Sequence, residues 1–448
     1  MSSRAKRVCE RSPRLSARRF VSHGNHERIV QLTRLRGFQD IAGAQARSLA
    51  VVEDRARAIA ERHNISEVRI PVLERLELYQ RSTGETTDIV EKQMYAFADR
   101  DEAETTLALR PEGTPGVVRA YIEAGLDRSE PEQRWYYVGP MFRRERPQKG
   151  RFRQFSQFGV EIFGRADAAT DAELMVMIDE LRRELALALN FEVNSLGCPE
   201  CRPRFRQALL AWGRAHLAEL CQDCHQRLER NPLRVLDCKI DVKLAEDAPR
   251  SQDYLCEACR AHFAIVCELL SDAAVPYRVN PRLVRGLDYY TRTTFEVISG
   301  AVGAQSAVAA GGRYDGLVEA LGGAPVPGTG FAIGVDRLAL ALEAGKFEAR
   351  PDAALAALGD AAVRVAMRLA GEMRAAGLRV EVMTPGRGLK ALLRRADKIG
   401  ARYAVIIGDN ELQRATAVVR DLKASAQSEV AQRDLIAALK DGRASTIP

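Results

Sequence analysis

Between residues 45 and 63 (QARSLAVVEDRARAIAERH) apolar side chains recur at helical spacing, which predicts an amphipathic helix. VRIPVLERLELY follows as a strand interrupted by Pro71. Residues 105–110, 134–142 and 154–163 alternate apolar and polar positions, the period of half-exposed antiparallel strands. Strand-like patterns return at 283–298 and 305–313, and a helical run from Asp336 to Ala344 comes after them. These elements predict an α+β fold built on a large antiparallel sheet. Residues 195–272 differ in kind, because Leu- and Ala-rich helical stretches there carry eight of the nine cysteines. They are expected to form a mostly helical inserted domain. Beyond an Ala-rich linker near residue 350, strands such as LRVEVM and YAVIIG alternate with helical patterns, which predicts a small α/β domain with parallel strands.

A chain of 448 residues exceeds what one core usually organises, so several domains are expected. It has no apolar run near the roughly 18–20 residues that span a bilayer, and Arg interrupts its early apolar stretches too often for a signal peptide. A soluble, cytoplasmic protein without membrane contact is expected. Net charge is +7, yet residues 1–36 hold ten Lys or Arg against Glu10 and Glu27, so the rest is close to neutral. The basic tail, 1–33, is expected to be disordered, although its Arg- and Ser-rich character would also suit an organelle transit segment. Any nucleic-acid argument must therefore rest on local basic clusters.

The densest such cluster is GPMFRRERPQKGRFRQFSQFGVEIFG, residues 139–164, with six basic residues and one acid between Phe142 and Phe155. A loop so rich in Arg between two strands suits a polyphosphate. Gln154, Gln157 and Glu161 are expected to line one face of the second strand as part of a ligand cavity. In LVRGLDYYTRTTFEV, Arg285, Asp288, Tyr289 and Tyr290 offer a cationic fork beside two hydroxyls. GTGFAIGVDRLALAL runs from a Gly-rich strand into a helix with Arg337 on its first turn, where it can reach a base or a phosphate. LALRPEGTPG sets Glu112 and Thr114 around a glycine, suitable for gripping an ammonium group. Ten glycines crowd residues 300–334, a density expected where backbone approaches a ligand.

Taken in this order, the segments resemble the class II aminoacyl-tRNA synthetases. Pro71 is similar to the motif 1 proline, Arg143 and Glu145 to motif 2, and Arg337 to motif 3. RGLDYYTRTTFE and AGGRYDGLVEALGG resemble boxes particular to the histidyl branch of that class. The resemblance covers about residues 34–448 and fits the absence of a P-loop. It implies a catalytic domain over 34–350, the insertion 195–272 within it, and an anticodon-binding domain over 351–448. It also implies a homodimer whose substrates are L-histidine, ATP with Mg2+ and tRNA(His). By similarity, Glu112, Gly113, Thr114 and Gln157 hold the α-amino end of histidine, Glu161 and Tyr290 the imidazole, and Tyr289 lies in the same pocket. Arg143 and Arg285 approach the α-phosphate from opposite sides as the catalytic pair and also count among the histidine-binding residues. Glu145, Arg151 and Arg337 serve the adenine and the outer phosphates. Ser156 and Arg144 depart from the pattern, since many relatives carry histidine at both places. None of the six histidines falls in these boxes, in keeping with histidine as substrate.

Cys198-x-x-Cys201 and Cys221-x-x-Cys224 have zinc-ribbon spacing, and Cys256-x-x-Cys259 forms a third pair. About one structural zinc is expected from these six, with the ligand choice open; Cys238 and Cys267 are left over. Arg387, Lys390, Arg394, Arg395 and Lys398 recur near helical spacing as a basic stripe suited to RNA. The competing reading is the histidine-sensing, non-catalytic regulatory subunit of ATP phosphoribosyltransferase, which typically lacks both the insertion and the C-terminal domain.

Overall fold

The computed structural model describes residues 32–444 apart from 84–86, 88, 103, 288, 304–306, 344–346, 348, 349 and 384–387. Most of the basic tail, Asp288, Ala344 and Arg387 therefore lie outside the described residues, as does the start of the 305–313 pattern. The first helix is Gly43–Arg62, with Val51, Val52, Ala56, Ile59 and Ala60 on its buried face. VRIPVLERLELY departs from a single interrupted strand. β1 (Ser66–Glu67) ends before it, within it only β2 (Leu73–Arg75) is a strand, and LELY opens the helix Leu76–Thr83. Tyr79, Ser82 and Thr83 are all buried there, the i, i+3, i+4 spacing of one helix face, whereas a strand would send Tyr79 and Ser82 to opposite faces.

Next come β3 (Tyr95–Ala98) and β4 (Thr106–Leu109), which complete a three-stranded antiparallel sheet ordered β2-β4-β3. The hairpin β5 (Gln133–Phe142) and β6 (Gln154–Phe163) is followed by β7 (Asn190–Ser195), β8 (Tyr277–Val279), β9 (Thr291–Ile298), β10 (Ala307–Arg313) and β11 (Gly328–Gly334). With β1 they make an eight-stranded sheet, β1-β5-β6-β11-β10-β9-β7-β8. Its inner pairs are antiparallel, as expected, while β1 and β8 add to the edges in parallel. The described residues of 283–290 are not in a strand. The extended run begins at Thr291, and the arginine and tyrosines before it belong to a connecting loop.

Alternation across this sheet decides where the core and the site lie. Phe158, Val160 and Ile162 of β6, Tyr136 of β5, and Phe295 and Val297 of β9 join one cluster with helices Gly43–Arg62 and Ala168–Glu184. The opposite parity, Gln157 and Glu161 of β6 and Glu296 of β9, faces away from those helices. Gln154 does not join that polar face: it lies an odd number of residues from Gln157 in a strand whose register with β5 runs unbroken. Helix Glu257–Asp272 closes residues 195–272, yet Val266 and Leu270 pack into the main core. The helices Arg202–Ala215 and Gln222–Arg230 build smaller clusters of their own.

The Ala-rich stretch read as a linker contains a strand, β12 (Ala353–Ala357), every residue of which is buried. Helix Asp360–Ala375 covers one of its faces and Leu389–Lys398 the other, so small side chains suit it and no alternation remains. β13 (Val380–Met383) and β14 (Tyr403–Ile407) flank it in parallel. β15 (Thr416–Asp421) and β16 (Gln427–Ala431) then add antiparallel, so this sheet is mixed rather than wholly parallel. Among the described residues, no helix is long and apolar enough to cross a membrane.

Candidate active site

The polar face of the large sheet forms the floor of a cavity of 710 Å³. Glu112, Thr114, Arg143, Glu145, Arg151, Gln157, Arg285, Tyr289, Tyr290 and Arg337 all line it, so segments far apart in the chain converge there. Gly113 and Glu161 do not reach the surface of the cavity. Gly113 is the N-cap of helix Thr114–Glu123, and a Cβ there would come within 2.2 Å of the Tyr137 ring. Glu161 sits behind the wall: Thr114 Oγ1 donates to one carboxylate oxygen at 2.6 Å and Tyr314 OH to the other at 2.5 Å. Gly330 makes room for that carboxylate, since a Cβ there would lie 2.0 Å from its oxygen. Of the glycines crowding 300–334, Gly330 and Gly334 line the cavity, whereas Gly311 and Gly328 accommodate protein neighbours.

Charge is sorted within the cavity. At one end burial pushes the Glu112 carboxyl up to about 7, against the opposing pull of Arg143, a bond from Tyr289 and Arg285. Burial raises Glu161 further, to about 8, in spite of its two hydroxyl donors. At the other end burial lowers the pKa of Arg337, and Arg151 and Arg143 add to the effect. Arg337 is fixed by bonds to the carbonyls of Gly150, 2.9 Å, and Ala307, 2.9 Å. Arg143 donates to the Pro111 carbonyl at 2.8 Å and lies 5.3 Å from the Phe155 ring centre. Arg151 pairs with Glu145 at 2.5 Å. Three guanidiniums held close, two by backbone carbonyls and one by Glu145, favour a polyanion, which relieves their mutual repulsion.

Several buried polar atoms lack a partner among the described residues: Glu112 Oε1, Gln157 Oε1 and Arg285 Nε. Buried groups of this kind are normally bonded, so these atoms mark places for a ligand. Arg285 is otherwise held by Glu296 at 2.7 Å, and Tyr289 OH donates to Glu112 at 3.2 Å. Ser156 and Arg144 meet the site through their main chain, donating to Asp336 at 2.6 Å and to the Gln93 carbonyl at 2.7 Å. Such bonds do not depend on the side chain present.

Sequence reasoning did not single out Tyr314, Tyr137 or Glu296. Tyr314 stands inside AGGRYDGLVEALGG, so the box was the only signal for it. The same reasoning gave residues 223–240 no part in the site, yet Asp223, Arg227, Arg234, Asp237, Cys238, Lys239 and Ile240 form one wall of the cavity. The expected ribbon between the first two Cys pairs is also absent: Cys198 and Cys201 meet Cys256 and Cys259, while Cys221 and Cys224 meet Cys238 and Asp241.

Comparison with known proteins agrees with this geometry. Residues 37–338 match the family model described as histidyl-tRNA synthetase, and residues 352–442 match an anticodon binding domain. A histidine–tRNA ligase of Trichlorobacter lovleyi is 48% identical over 386 residues, covering 86% of this chain and 92% of that protein. The Geobacter sulfurreducens ligase is 48% identical over 402 residues, covering 89% and 97%. The crystal structure of apo S. aureus histidyl-tRNA synthetase superposes with a TM-score of 0.74 at 32% identity, covering 92% of this chain and all of that one, 100%. A family model that spans well over half the residues, over segments that meet in one charge-sorted cavity, leaves a single conclusion: the chain belongs to the histidyl-tRNA synthetase family of class II aminoacyl-tRNA synthetases.

Proposed function

We propose that this cavity activates L-histidine with ATP and that the chain then transfers histidine to tRNA(His). The observation that carries the reading is the meeting, in one cavity, of a guanidinium cluster with a carboxyl end whose buried polar atoms lack partners. A histidine carboxylate oxygen attacks the α-phosphorus, the bond to the bridging β-phosphate oxygen breaks, and pyrophosphate leaves. The carboxylate is already ionised at neutral pH, so the step needs alignment and charge neutralisation and no strong base. Arg143 and Arg285 meet the α-phosphate, and Arg151 and Arg337 the outer phosphates and adenine beside Glu145. Glu112, Thr114 and Gln157 hold the α-amino group with Tyr289 steadying Glu112, while Tyr290 faces the imidazole and Glu161, behind the wall, fixes Thr114 and Tyr314. Mg2+ enters with ATP. The terminal 3′-hydroxyl of the RNA then displaces AMP from the activated carbonyl.

The family boundaries support a catalytic domain over 34–350, the insertion 195–272, and an anticodon-binding domain over 351–448, with 1–33 as a basic tail. For the RNA, Lys390, Arg394 and Lys398 stand one turn apart on the exposed face of helix Leu389–Lys398, where Arg395 is paired with Glu381 at 3.0 Å. A homodimer fits the exposure of Val72, Leu73 and Phe97 in or beside the three-stranded sheet. A cytoplasmic location and structural zinc on the thiols of 198–259 belong to the same reading. The regulatory-subunit alternative leaves the guanidinium cluster without a task. Histidine-dependent exchange of pyrophosphate into ATP tests the choice: its absence from the purified chain rejects the synthetase reading.

Two expectations follow for the histidine end. Glu161→Ala leaves the Thr114 and Tyr314 hydroxyls without that acceptor and loosens the wall behind the histidine pocket. Histidine use should weaken by at least about tenfold, since bonds to charged groups are worth roughly 1.5–3 kcal/mol. Saturation curves for histidine in the exchange assay check it, and an unaltered curve rejects the assignment. Glu112, with its pKa pushed up to about 7, is part-protonated near neutrality, and the ammonium of histidine favours its charged form. Binding should therefore release a proton, and affinity should fall as pH drops below about 7. Calorimetry in buffers of different ionisation enthalpy measures that proton. Its persistence in Glu112→Gln would assign it to another group.

A further inference from the structure

The cysteines of residues 195–272 sort into two closed donor sets. Cys198, Cys201, Cys256 and Cys259 form one, and Cys221, Cys224, Cys238 and Asp241 the other; within each set all ligand atoms lie within 4.8 Å of one another. Cys198 Sγ is 3.6 Å from Cys201 Sγ and 3.9 Å from Cys256 Sγ, and Cys221 Sγ is 3.7 Å from Cys238 Sγ. Those separations exceed the roughly 2.05 Å of a disulfide. They match the roughly 3.8 Å edge of a tetrahedron whose metal–sulfur bonds are about 2.3 Å. Each Cys-x-x-Cys also straddles the start of a helix, with Cys201, Cys221 and Cys256 as N-caps of Arg202–Ala215, Gln222–Arg230 and Glu257–Asp272. Simple packing of small apolar side chains would explain the burial of Cys201, Cys224, Cys238 and Cys259. It does not explain Asp241, a buried carboxylate among three thiols: the Cys221 main-chain N–H bonds it at 3.1 and 3.2 Å, but a buried charge also needs a counter-charge and no cationic side chain pairs with it among the described residues.

We infer that residues 195–272 bind two structural zinc ions, one in each set, and that the second ion shapes a wall of the catalytic cavity. Four thiols in the first set, and three thiols with a carboxylate in the second, leave no open position and suit zinc in a structural role. The first ion joins the start of helix Arg202–Ala215 to that of Glu257–Asp272, which is planted in the main core. The second ion fastens helix Gln222–Arg230 to the turn at Cys238. Both elements supply cavity wall: Asp223 stands between two of its ligands, and Cys238 itself lines the cavity with Asp237, Lys239 and Ile240. From the far end of that helix Arg230 reaches Glu91 at 3.4 Å. The wall role rests on the activation reading of the cavity, whereas the metal assignment does not.

The test begins with metal analysis of the full-length protein purified without chelator. Two zinc ions per chain are expected, falling to one in Cys198→Ser/Cys259→Ser and to one in Cys221→Ser/Cys224→Ser. Cobalt(II) added to chelator-treated wild type should give the visible bands of two tetrahedral thiolate sites, a readout that requires no variant to fold. One zinc or none in the wild type, or an octahedral cobalt spectrum, overturns the assignment. In the exchange assay, Cys221→Ser/Cys224→Ser should lower kcat/KM by up to roughly a hundredfold, the scale of a displacement of about 1 Å in a site. Cys198→Ser/Cys259→Ser should lower it less. Unchanged kinetics in the first double variant overturns the wall role. A wild type carrying two zinc ions but no exchange activity rejects the activation reading and leaves the metal sites standing.

Discussion

Replacing Arg285 by lysine is expected to slow adenylate formation by roughly a hundredfold, the scale of losing one preorganised donor, and replacing it by alanine should cost more. Negative charge gathers on the α-phosphate as the histidine carboxylate attacks, and a fixed cation stabilises that state only if it needs no reorganisation. Arg285 meets this condition, because Glu296 holds one guanidinium nitrogen at 2.7 Å while the buried Nε has no partner among the described residues. Lysine keeps the charge but loses the planar fork, so it cannot bond Glu296 and the phosphate in the same geometry. Transfer from preformed adenylate should suffer much less, since its reacting centre is the carbonyl. Single-turnover rates of the two half-reactions separate these outcomes. Equal slowing of both, or a change confined to histidine affinity, would make Arg285 a positioning residue.

The largest loss of stability is expected from Asp171→Ala. Arg313 is fully buried and donates to Asp171 at 2.7 Å through Nη2 and at 3.2 Å through Nε, and His262 Nε2 is 2.8 Å from the same carboxylate. Removing Asp171 leaves the buried guanidinium only Asp315 at 3.1 Å and the carbonyls of Arg165 and Asp167, which costs up to about 3–5 kcal/mol, whereas replacing the pair by apolar groups of similar volume is often nearly neutral. Asp171→Ala should therefore be strongly destabilised and Asp171→Ala/Arg313→Met much less so. Because a chain of this size need not unfold in one step, hydrogen exchange of the β9–β11 amides is the suitable measurement. Equal loss in the single and double variants would refute the stranded-charge explanation. The pair also reaches the active site, since Arg313 is followed directly by Tyr314, whose hydroxyl bonds Glu161.

Local pattern carried much of this protein. The period-two alternation of residues 134–142 and 154–163 located the hairpin whose register runs from Gln133 opposite Phe163 to Phe142 opposite Gln154. The helical spacing of residues 45–63 located Gly43–Arg62. Motif residues then pointed to the family, because Arg143, Arg285 and Arg337 stand in segments that resemble its boxes, and the three line one cavity. Short-range pattern failed where an element is covered on both faces or lies between two periods. β12 read as a linker because a strand buried on both sides shows no alternation, and LELY read as strand because so few residues separate the two periods.

The tertiary structure alone decided which distant residues meet. Glu161 is bonded by Thr114, 47 residues away, and by Tyr314, 153 residues away. The cysteines divided in the same manner: spacing favoured joining the first two pairs, but Cys198 lies against Cys256, 58 residues on, and Cys221 against Cys238. That choice, and the placing of residues 223–240 in the cavity wall, were settled by the helix Glu257–Asp272 packing into the main core. Spacing along a chain records which side chains share a face of one element. Contacts between elements depend on how the buried faces of all of them fit together, and no local segment contains that information.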